Sequence, residues 1–366
     1  MPKKVKILIS GGGTGGHIFP AIAIANALKR RLPDIDINFV GAIGRMEMEK
    51  VPKAGYPITG LWISGLQRKL TARNLLFPVK VLFSIFKALQ IINKFKPSIV
   101  IGTGGYASGP LLFVASKKNI PTLIHEQNAF PGITNKLLGK SVDKVCVSYP
   151  NMEKYFSKEK IILTGNPIRS EILNLTRTKT EGLNFFKLNP NKKVLLIIGG
   201  SQGAKQVNIA VADNLQELLE LNIRIIWQTG AGSKQIATSV AAGNNEVVIT
   251  EFIQEMDMAY AASDFIISRA GAIAIAEIIA IKKPAVFIPL PTAAEDHQTK
   301  NAKTLVDGNA ALLVSEKESI NKLGSTVKLL IEDTELQKSI IKNLDSFSFS
   351  DAAGTIANEV IKLIKV

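Results

Sequence analysis

The chain has 366 residues, is 46% hydrophobic and 20% charged, and carries a formal net charge of +15. That is more apolar material than one domain needs and too regular a composition for a disordered chain, so two packed domains are expected. Cys146 is the only cysteine, which excludes an intrachain disulfide, and no run of about 20 uncharged apolar residues is present, so a membrane-spanning helix is not expected and the chain is read as cytoplasmic.

Met1–Ser10 begins with lysines and a short apolar run, which superficially resembles a signal peptide. The run is too short and leads straight into Gly11-Gly12-Gly13, so it reads as a buried first strand, Val5–Ile9. Gly11, Gly13 and Gly16 then satisfy G-x-G-x-x-G, and Pro20 suits the first turn of the helix that follows. Such a loop turns backbone N–H groups toward an anion, and the helix dipole adds partial positive charge. The competing reading is a turn that only saves space.

The second strand, Ile37–Val40, runs out into Gly41-Ala42 with no acid at its end. A dinucleotide enzyme needs an acid there for the ribose, so a nicotinamide cofactor is disfavoured, with Arg45 alone suiting a phosphorylated variant. Asp34-Ile35-Asp36 is literally a D-x-D, but it lies at the start of a strand, where a solvated turn is the better reading. No His/Cys cluster has metal spacing. Neither a cofactor nor a metal site is expected.

From Lys50 through His125 there is no Asp or Glu, while lysines and arginines recur throughout. A field of one sign needs a negative partner: anionic lipid, nucleic acid or a phosphate-bearing substrate. Within it, Thr71–Phe95 is rich in apolar residues, Phe83 and Phe86 among them, and Arg73, Lys80, Lys87 and Lys94 recur every seven residues, close to one helical stripe. This reads as an interfacial segment on anionic lipid, against a core helix with a solvated basic face.

Further strands are expected at Ser98–Ile101, Thr122–Ile124, Lys144–Val147 and Ile161–Leu163, with a second glycine loop, Gly102–Pro110, after the first of them. Gly165-Asn166-Pro167 is a breaker cluster that suits a hinge. The rhythm restarts at Val194–Ile198, with a third glycine loop at Gly199–Ala204, and continues through Ile223–Trp227, Val247–Ile249, Asp264–Ile267, Ala285–Ile288 and Ala311–Val314. Strand, Gly-rich turn and helix alternate in both halves, so the expected fold is α/β, with two Rossmann-like domains facing each other across a cleft. The expected domains are 1–165 and 166–349, with a closing helical segment, 350–366, packed back on the first. Three glycine loops suit more than one phosphate group, as a nucleotide-sugar donor and a pyrophosphate acceptor would bring.

The segments GGGTGGHIFPAIAIANAL (11–28), GTGGYASGP (102–110), HEQNAFPGITNK (125–136), GNPIR (165–169), GGSQGA (199–204), EFI (251–253), RAGAIAIAE (269–277) and EDHQTKNA (295–302) follow one another over most of the chain. In them the chain resembles the MurG family of UDP-N-acetylglucosamine–N-acetylmuramyl-(pentapeptide) pyrophosphoryl-undecaprenol N-acetylglucosaminyltransferases. The resemblance implies the GT-B architecture and an inverting transfer of N-acetylglucosamine from UDP-N-acetylglucosamine to lipid I, the last cytoplasmic step in making the peptidoglycan precursor. It also implies peripheral attachment to the cytoplasmic face of the inner membrane, partners among cell-wall-synthesis proteins, and no nucleic acid.

The resemblance further assigns roles. Glu277 accepts both ribose hydroxyls, a task suited to an acceptor-only carboxylate. Arg169 and Ser201 meet the diphosphate, the backbone of Ile253 meets uracil, and Gln298 meets a sugar hydroxyl. Ala272, Ile273, Ala274, Ile275 and Ala276 line the donor on the helix leading to Glu277; family members often carry Thr, Val or Ser at 274 and 276, so any contact at these alanines runs through the backbone. From the first domain, Thr14, Gly15, Gly16 and Asn128 reach the donor, while Gly13, Thr14, Gly104, Gly105 and Tyr106 hold the acceptor diphosphate. The attacking hydroxyl must lose a proton. His17, directly after the first glycine loop, is the candidate base; a capping or acceptor-positioning imidazole is the other reading, Glu126 is the rival base, and His297 suits the donor side. A soluble UDP-N-acetylglucosamine 2-epimerase-like enzyme is the alternative function. An NADP-dependent oxidoreductase and a non-enzymatic lipid or nucleic-acid binder are further rivals, and the 11–20 loop and the acid-free stretch separate these readings.

Overall fold

The computed structural model describes residues 4–65, 76–199 and 204–364, and the chain divides into two compact units, residues 1–168 with 351–366 and residues 169–350. In the first unit the chain runs β1 (Lys6–Ser10), α1 (Gly15–Arg31), β2 (Asp36–Ala42), α2 (Glu47–Lys53), β3 (Ile58–Leu61), α3 (Phe77–Phe95), β4 (Ile99–Gly102), α4 (Ser108–Lys117), β5 (Thr122–Glu126), α5 (Ile133–Leu138), β6 (Lys144–Val147) and β7 (Ile161–Leu163). The strands form one parallel sheet in the order β3-β2-β1-β4-β5-β6-β7.

A parallel sheet covered on both faces demands apolar side chains on both sides of each strand, and the sequence supplies them at a period of two. Ile7, Ile9, Phe39, Ile99, Ile101, Leu123 and Cys146 face one layer, built by α1 and the closing helix Ala352–Ile364, which packs on α1 through Ile356, Ala357 and Val360. Leu8, Val40, Val100, Ile124, Val145 and Val147 face the other, where α3 contributes Ala88 and Ile92 and α4 contributes Leu111, Leu112 and Ala115.

The second unit repeats the plan with β8 (Lys193–Ile198), β9 (Ile223–Gln228), β10 (Val247–Thr250), β11 (Phe265–Ser268), β12 (Ala285–Phe287) and β13 (Leu312–Leu313), all parallel, in the order β10-β9-β8-β11-β12-β13. In both sheets the order reverses beside the unit's first strand, between β1 and β4 and between β8 and β11. At such a switch point the loops leaving the strands diverge and open a crevice for ligands.

One sequence expectation needs amending. β3 was not anticipated: Thr59-Gly60 interrupts its apolar run, and Gly60 is required because a Cβ there would lie 2.6 Å from Cγ1 of Ile43. Within the basic segment Thr71–Phe95, the described part forms the helix Phe77–Phe95, with Pro78 in its first turn. Residues 66–75, Arg73 among them, lie outside the described residues, as do 200–203 with Ser201. Among the described residues no helix is long and apolar enough to cross a membrane.

Candidate functional site

In the first unit the loops after β1 and β4 meet at the switch point and are built against each other. The Gly12 N–H donates to the Gly104 carbonyl at 3.3 Å, and the Thr103 hydroxyl donates to the His17 carbonyl at 2.8 Å. The Ser108 hydroxyl lies 2.9 Å from the carbonyls of both Ser10 and Gly104. The glycines serve this close approach: a Cβ on Gly105 would lie 2.3 Å from the Gly12 carbonyl oxygen, and one on Gly12 would lie 2.1 Å from Glu47 Oε1. Saving space is therefore part of what these loops do.

The Gly13 amide, expected to face a diphosphate, donates instead to Glu47 Oε2 at 2.9 Å. Oε1 of the same carboxylate accepts the Ala42 N–H at 3.0 Å, so one buried acid ties the first glycine loop to the end of β2. Hydrogen bonds to an ionised acceptor contribute about 1.5–3 kcal/mol each, against 0.5–1.5 for neutral pairs. Beyond Gly13, α1 starts at Gly15 and no side chain caps it. Its N-terminus, over Thr14, Gly15 and Gly16, keeps the dipole and amides that suit an anion. Tyr106 is exposed beside this loop.

His17 stands in the first turn of α1, half-buried, with Gly104 against its ring. Its Nδ1 lies 2.9 Å from the Gly12 carbonyl. A carbonyl only accepts, so Nδ1 carries the proton and the neutral ring has its lone pair on Nε2. Burial holds the pKa below 6.5, offset in part by the Gly12 bond and the Glu47 charge. At neutral pH the ring is an unprotonated base.

Glu126 and its neighbour His125 are built into the frame of this unit. His125 is fully buried. Its Nε2 lies 3.1 Å from the Gly165 carbonyl and its Nδ1 3.0 Å from the Gln127 amide nitrogen, and burial lowers its pKa to about 4. Glu126, the rival base, has both oxygens occupied: Oε1 accepts from the Asn128 N–H and side-chain amide, Oε2 from the Gly132 N–H and the Asn135 amide. Burial raises its pKa and the four donors pull it back. This carboxylate holds the loop 127–132 closed, with Asn128 as part of that closure, and its acceptor sites are spent on doing so.

In the second unit β11 leads through Gly271 into the helix Ala272–Ile281, again with no side-chain cap. Along it Ala272 and Ile275 are buried and Ile273, Ala274 and Ala276 half-buried. Glu277 is buried, and Arg169 reaches its Oε1 with both Nε and Nη2 at 2.9 Å. Oε2 accepts the Tyr260 hydroxyl at 3.0 Å. Burial, with Glu277 beside it, pushes the Tyr260 phenol far up, so it stays a donor. The sequence reading gave Arg169 and Glu277 separate roles; the structure pairs them.

The Ile253 N–H donates to Gln228 Oε1 at 3.0 Å, which leaves the Ile253 carbonyl as the backbone group suited to a pyrimidine N–H. Gln298 Oε1 accepts the Leu290 N–H at 2.9 Å, leaving its amide NH2 as the group that can meet a hydroxyl. Arg269 braces the same loop by donating to the Ile288 and Pro289 carbonyls at 3.1 and 3.0 Å and to the Glu316 carboxylate. Glu47, Tyr260 and Arg269 escaped the sequence reading. A usable signal existed for one of them: Glu47 is among the last acids before the acid-free stretch and lies five residues beyond the end of β2. Among the described residues no three His, Cys, Asp or Glu side chains cluster where they could hold a metal ion.

On α3, Ser84, Ala88 and Ile92 are buried, while Leu82 (69%), Phe86 (58%) and Phe83 (52%) are exposed to a degree unusual for side chains of this size. Phe113 on α4 and Ile133 and Leu137 on α5 are exposed as well. The lysine stripe is less uniform than its spacing suggests. Lys80 turns to the Ser64 hydroxyl at 3.1 Å and lies over the Trp62 ring at 5.6 Å; Lys87 is half-buried and Lys94 exposed.

Comparison with known proteins places these features. Residues 7–147 match the glycosyltransferase family 28 N-terminal domain and residues 194–356 the glycosyltransferase family 28 C-terminal domain. A protein of Flavobacterium psychrophilum described as UDP-N-acetylglucosamine–N-acetylmuramyl-(pentapeptide) pyrophosphoryl-undecaprenol N-acetylglucosamine transferase is 47% identical over 363 residues, covering 99% of both chains. The crystal structure of Acinetobacter baumannii MurG superposes with a TM-score of 0.78 at 29% identity, over 98% of this chain and 99% of that one. A UDP-GlcNAc 2-epimerase from Neisseria meningitidis, bound to UDP-GlcNAc, shares the fold at a TM-score of 0.68 over 98% of this chain and 100% of its own, but at 14% identity the likeness shows the fold alone.

Proposed function

The chain belongs to glycosyltransferase family 28, within its MurG group, and from that premise we propose that it moves N-acetylglucosamine from UDP-N-acetylglucosamine to the muramyl 4-hydroxyl of lipid I, giving lipid II for peptidoglycan. The observation that carries the reading is His17: a neutral imidazole, its Nδ1 proton fixed on Gly12 and its Nε2 lone pair uncommitted, at the head of a helix that no side chain caps.

The chemistry follows from these groups. The acceptor hydroxyl attacks the anomeric carbon, its proton passes to His17 Nε2, and the electron pair of the breaking C–O bond leaves on the UDP β-phosphate. The N-terminus of α1, over Thr14, Gly15 and Gly16, suits the acceptor pyrophosphate. In the second unit the N-terminus of the helix Ala272–Ile281, with Arg169, takes up the charge of departing UDP, and Glu277 accepts the ribose hydroxyls. Fixed dipoles and a guanidinium thus supply what a divalent cation supplies elsewhere.

The test is UDP release from UDP-N-acetylglucosamine with a short-chain lipid I analogue, with and without the analogue and with EDTA. Acceptor-dependent release that survives EDTA, with a disaccharide product, is the expected result. Epimerised sugar, or bound donor with no UDP released, overturns the transferase reading in favour of an epimerase-like enzyme or a binding module.

The exposed face of α3 supports a peripheral attachment to anionic lipid on the cytoplasmic side of the inner membrane: Leu82, Phe83 and Phe86 supply apolar area, with Lys87 and Lys94 along the flank. Each cation near such a surface contributes about 1 kcal/mol, so the Lys87→Glu/Lys94→Glu pair is expected to weaken binding to phosphatidylglycerol vesicles at least ~10-fold and to spare UDP binding. Lys80 is a poor choice for this test, because Trp62 and Ser64 already hold its ammonium. Unchanged vesicle affinity in a sedimentation assay would move the contact to another face.

A further inference from the structure

Glu47 is a buried acid with no part in the chemistry above, and the bonds it makes share one peptide group with those of His17. The amide joining Gly12 to Gly13 has its carbonyl on Gly12 and its N–H on Gly13. The carbonyl accepts the His17 Nδ1–H at 2.9 Å; the N–H, on the opposite side of the same trans peptide, donates to Glu47 Oε2 at 2.9 Å. Carboxylate, peptide and imidazole are thus joined end to end. We propose that Glu47 is a positioning residue for His17, acting through the Gly12–Gly13 peptide as a carboxylate acts directly on the imidazole in a Ser-His-Asp triad. The proposal rests on the reading of His17 as the base.

Three observations carry it. The chain of bonds has a direction: the carboxylate only accepts, so the Gly13 N–H must point to it, the Gly12 carbonyl must point to Nδ1, and the lone pair must sit on Nε2. Polarisation runs the same way, since an acceptor charge on the N–H side increases the negative charge on the carbonyl oxygen facing the ring. The acid is also fixed in place. Oε1 is anchored on the Ala42 N–H, and Gly12 and Gly41 leave the room it needs, since a Cβ on either would lie within 2.6 Å of the Glu47 side chain.

Among titratable groups around His17, Glu47 from α2 raises its pKa. His125 on β5 is neutral above about pH 4, and Tyr106 lies beside Gly13 on the loop after β4. Loss of the Glu47 charge therefore lowers the His17 pKa.

The experiment is 15N NMR of the imidazole nitrogens in the full-length protein. Only three histidines are present, so His17→Gln identifies the resonances. In the unsubstituted protein, neutral His17 is expected as the Nδ1–H tautomer; an Nε2–H tautomer overturns the proposal with no variant needed. In Glu47→Gln, which keeps the size and loses the charge, the His17 titration is expected to fall by roughly half a unit or more. The acidic limb of kcat/KM should follow it, and kcat should drop about tenfold at unchanged donor KM. A purely structural acid would lower Tm and leave titration and limb where they are, which overturns the proposal. Full kcat in His17→Ala would sink the base assignment itself, and the NMR shift reads the Glu47 coupling independently of that outcome.

Discussion

His17→Ala lowers kcat about a hundred- to ten-thousand-fold and leaves UDP affinity within about threefold, the range expected for loss of a positioned general base. The split follows from the layout. The groups assigned to the ribose and diphosphate of UDP, Arg169, Glu277 and the helix Ala272–Ile281, are in the second unit, whereas His17 is anchored in the first by Gly12 and packed on Gly104. The acid limb of the wild-type profile reports protonation of Nε2, so it is expected below pH 6.5 and absent from the variant. His17→Gln is the better-behaved companion, because its amide can still donate to the Gly12 carbonyl and fill the space beside Gly104. If single-turnover rates of both variants stay near wild type, the proton leaves by another route, and Glu126 with its four donors is a poor replacement.

Glu277→Gln weakens UDP binding by about thirty- to a hundred-and-fifty-fold, from two charge-assisted hydrogen bonds of about 1.5–3 kcal/mol each reduced to neutral ones of about 0.5–1.5. Titration calorimetry with UDP measures this directly. The free protein feels the change too. Arg169 loses its carboxylate, and the buried Tyr260 hydroxyl keeps an acceptor only if the new amide turns its oxygen to it. Part of the binding loss therefore comes from an unpaired guanidinium, and Arg169→Lys/Glu277→Gln beside the two single variants separates the terms in a double-mutant cycle. Affinity within threefold of wild type in Glu277→Gln would remove Glu277 from the ribose site and leave it as the structural partner of Arg169.

The parallel sheets were legible because strands buried on both faces must be apolar runs, and Gly-rich turns punctuated them. β3 was not legible, since Thr59 and Gly60 blunt its pattern and its place follows from Ile43 crossing above it. His17 could be found because it follows a loop whose spacing carries meaning. Glu47 offered only its place just ahead of the acid-free stretch: its partners are backbone amides of Gly13 and Ala42, and a backbone amide leaves no trace in a sequence. The Arg169–Glu277–Tyr260 group failed for another reason, with members up to 108 positions apart that only the folded second unit brings together. The first two glycine loops were read as phosphate cradles, with space-saving turns as the competing reading, and much of their glycine content turns out to answer a local need, two backbones and a carboxylate packed too closely for any side chain.

The helix Ala352–Ile364 lies on α1, in the layer beneath β1 and β4, although some 320 residues separate it from α1 in the sequence. The chain leaves the first unit after Ile168, forms the whole of the second, and returns at Asp351. The second unit is thus contiguous and has every strand of its sheet in hand while the first still lacks part of one face. During synthesis from the N-terminus, the usual order is reversed at the end: the unit begun first is the one completed last, and until residues 352–364 emerge, the apolar surface of α1 that they cover is open to solvent or to a chaperone.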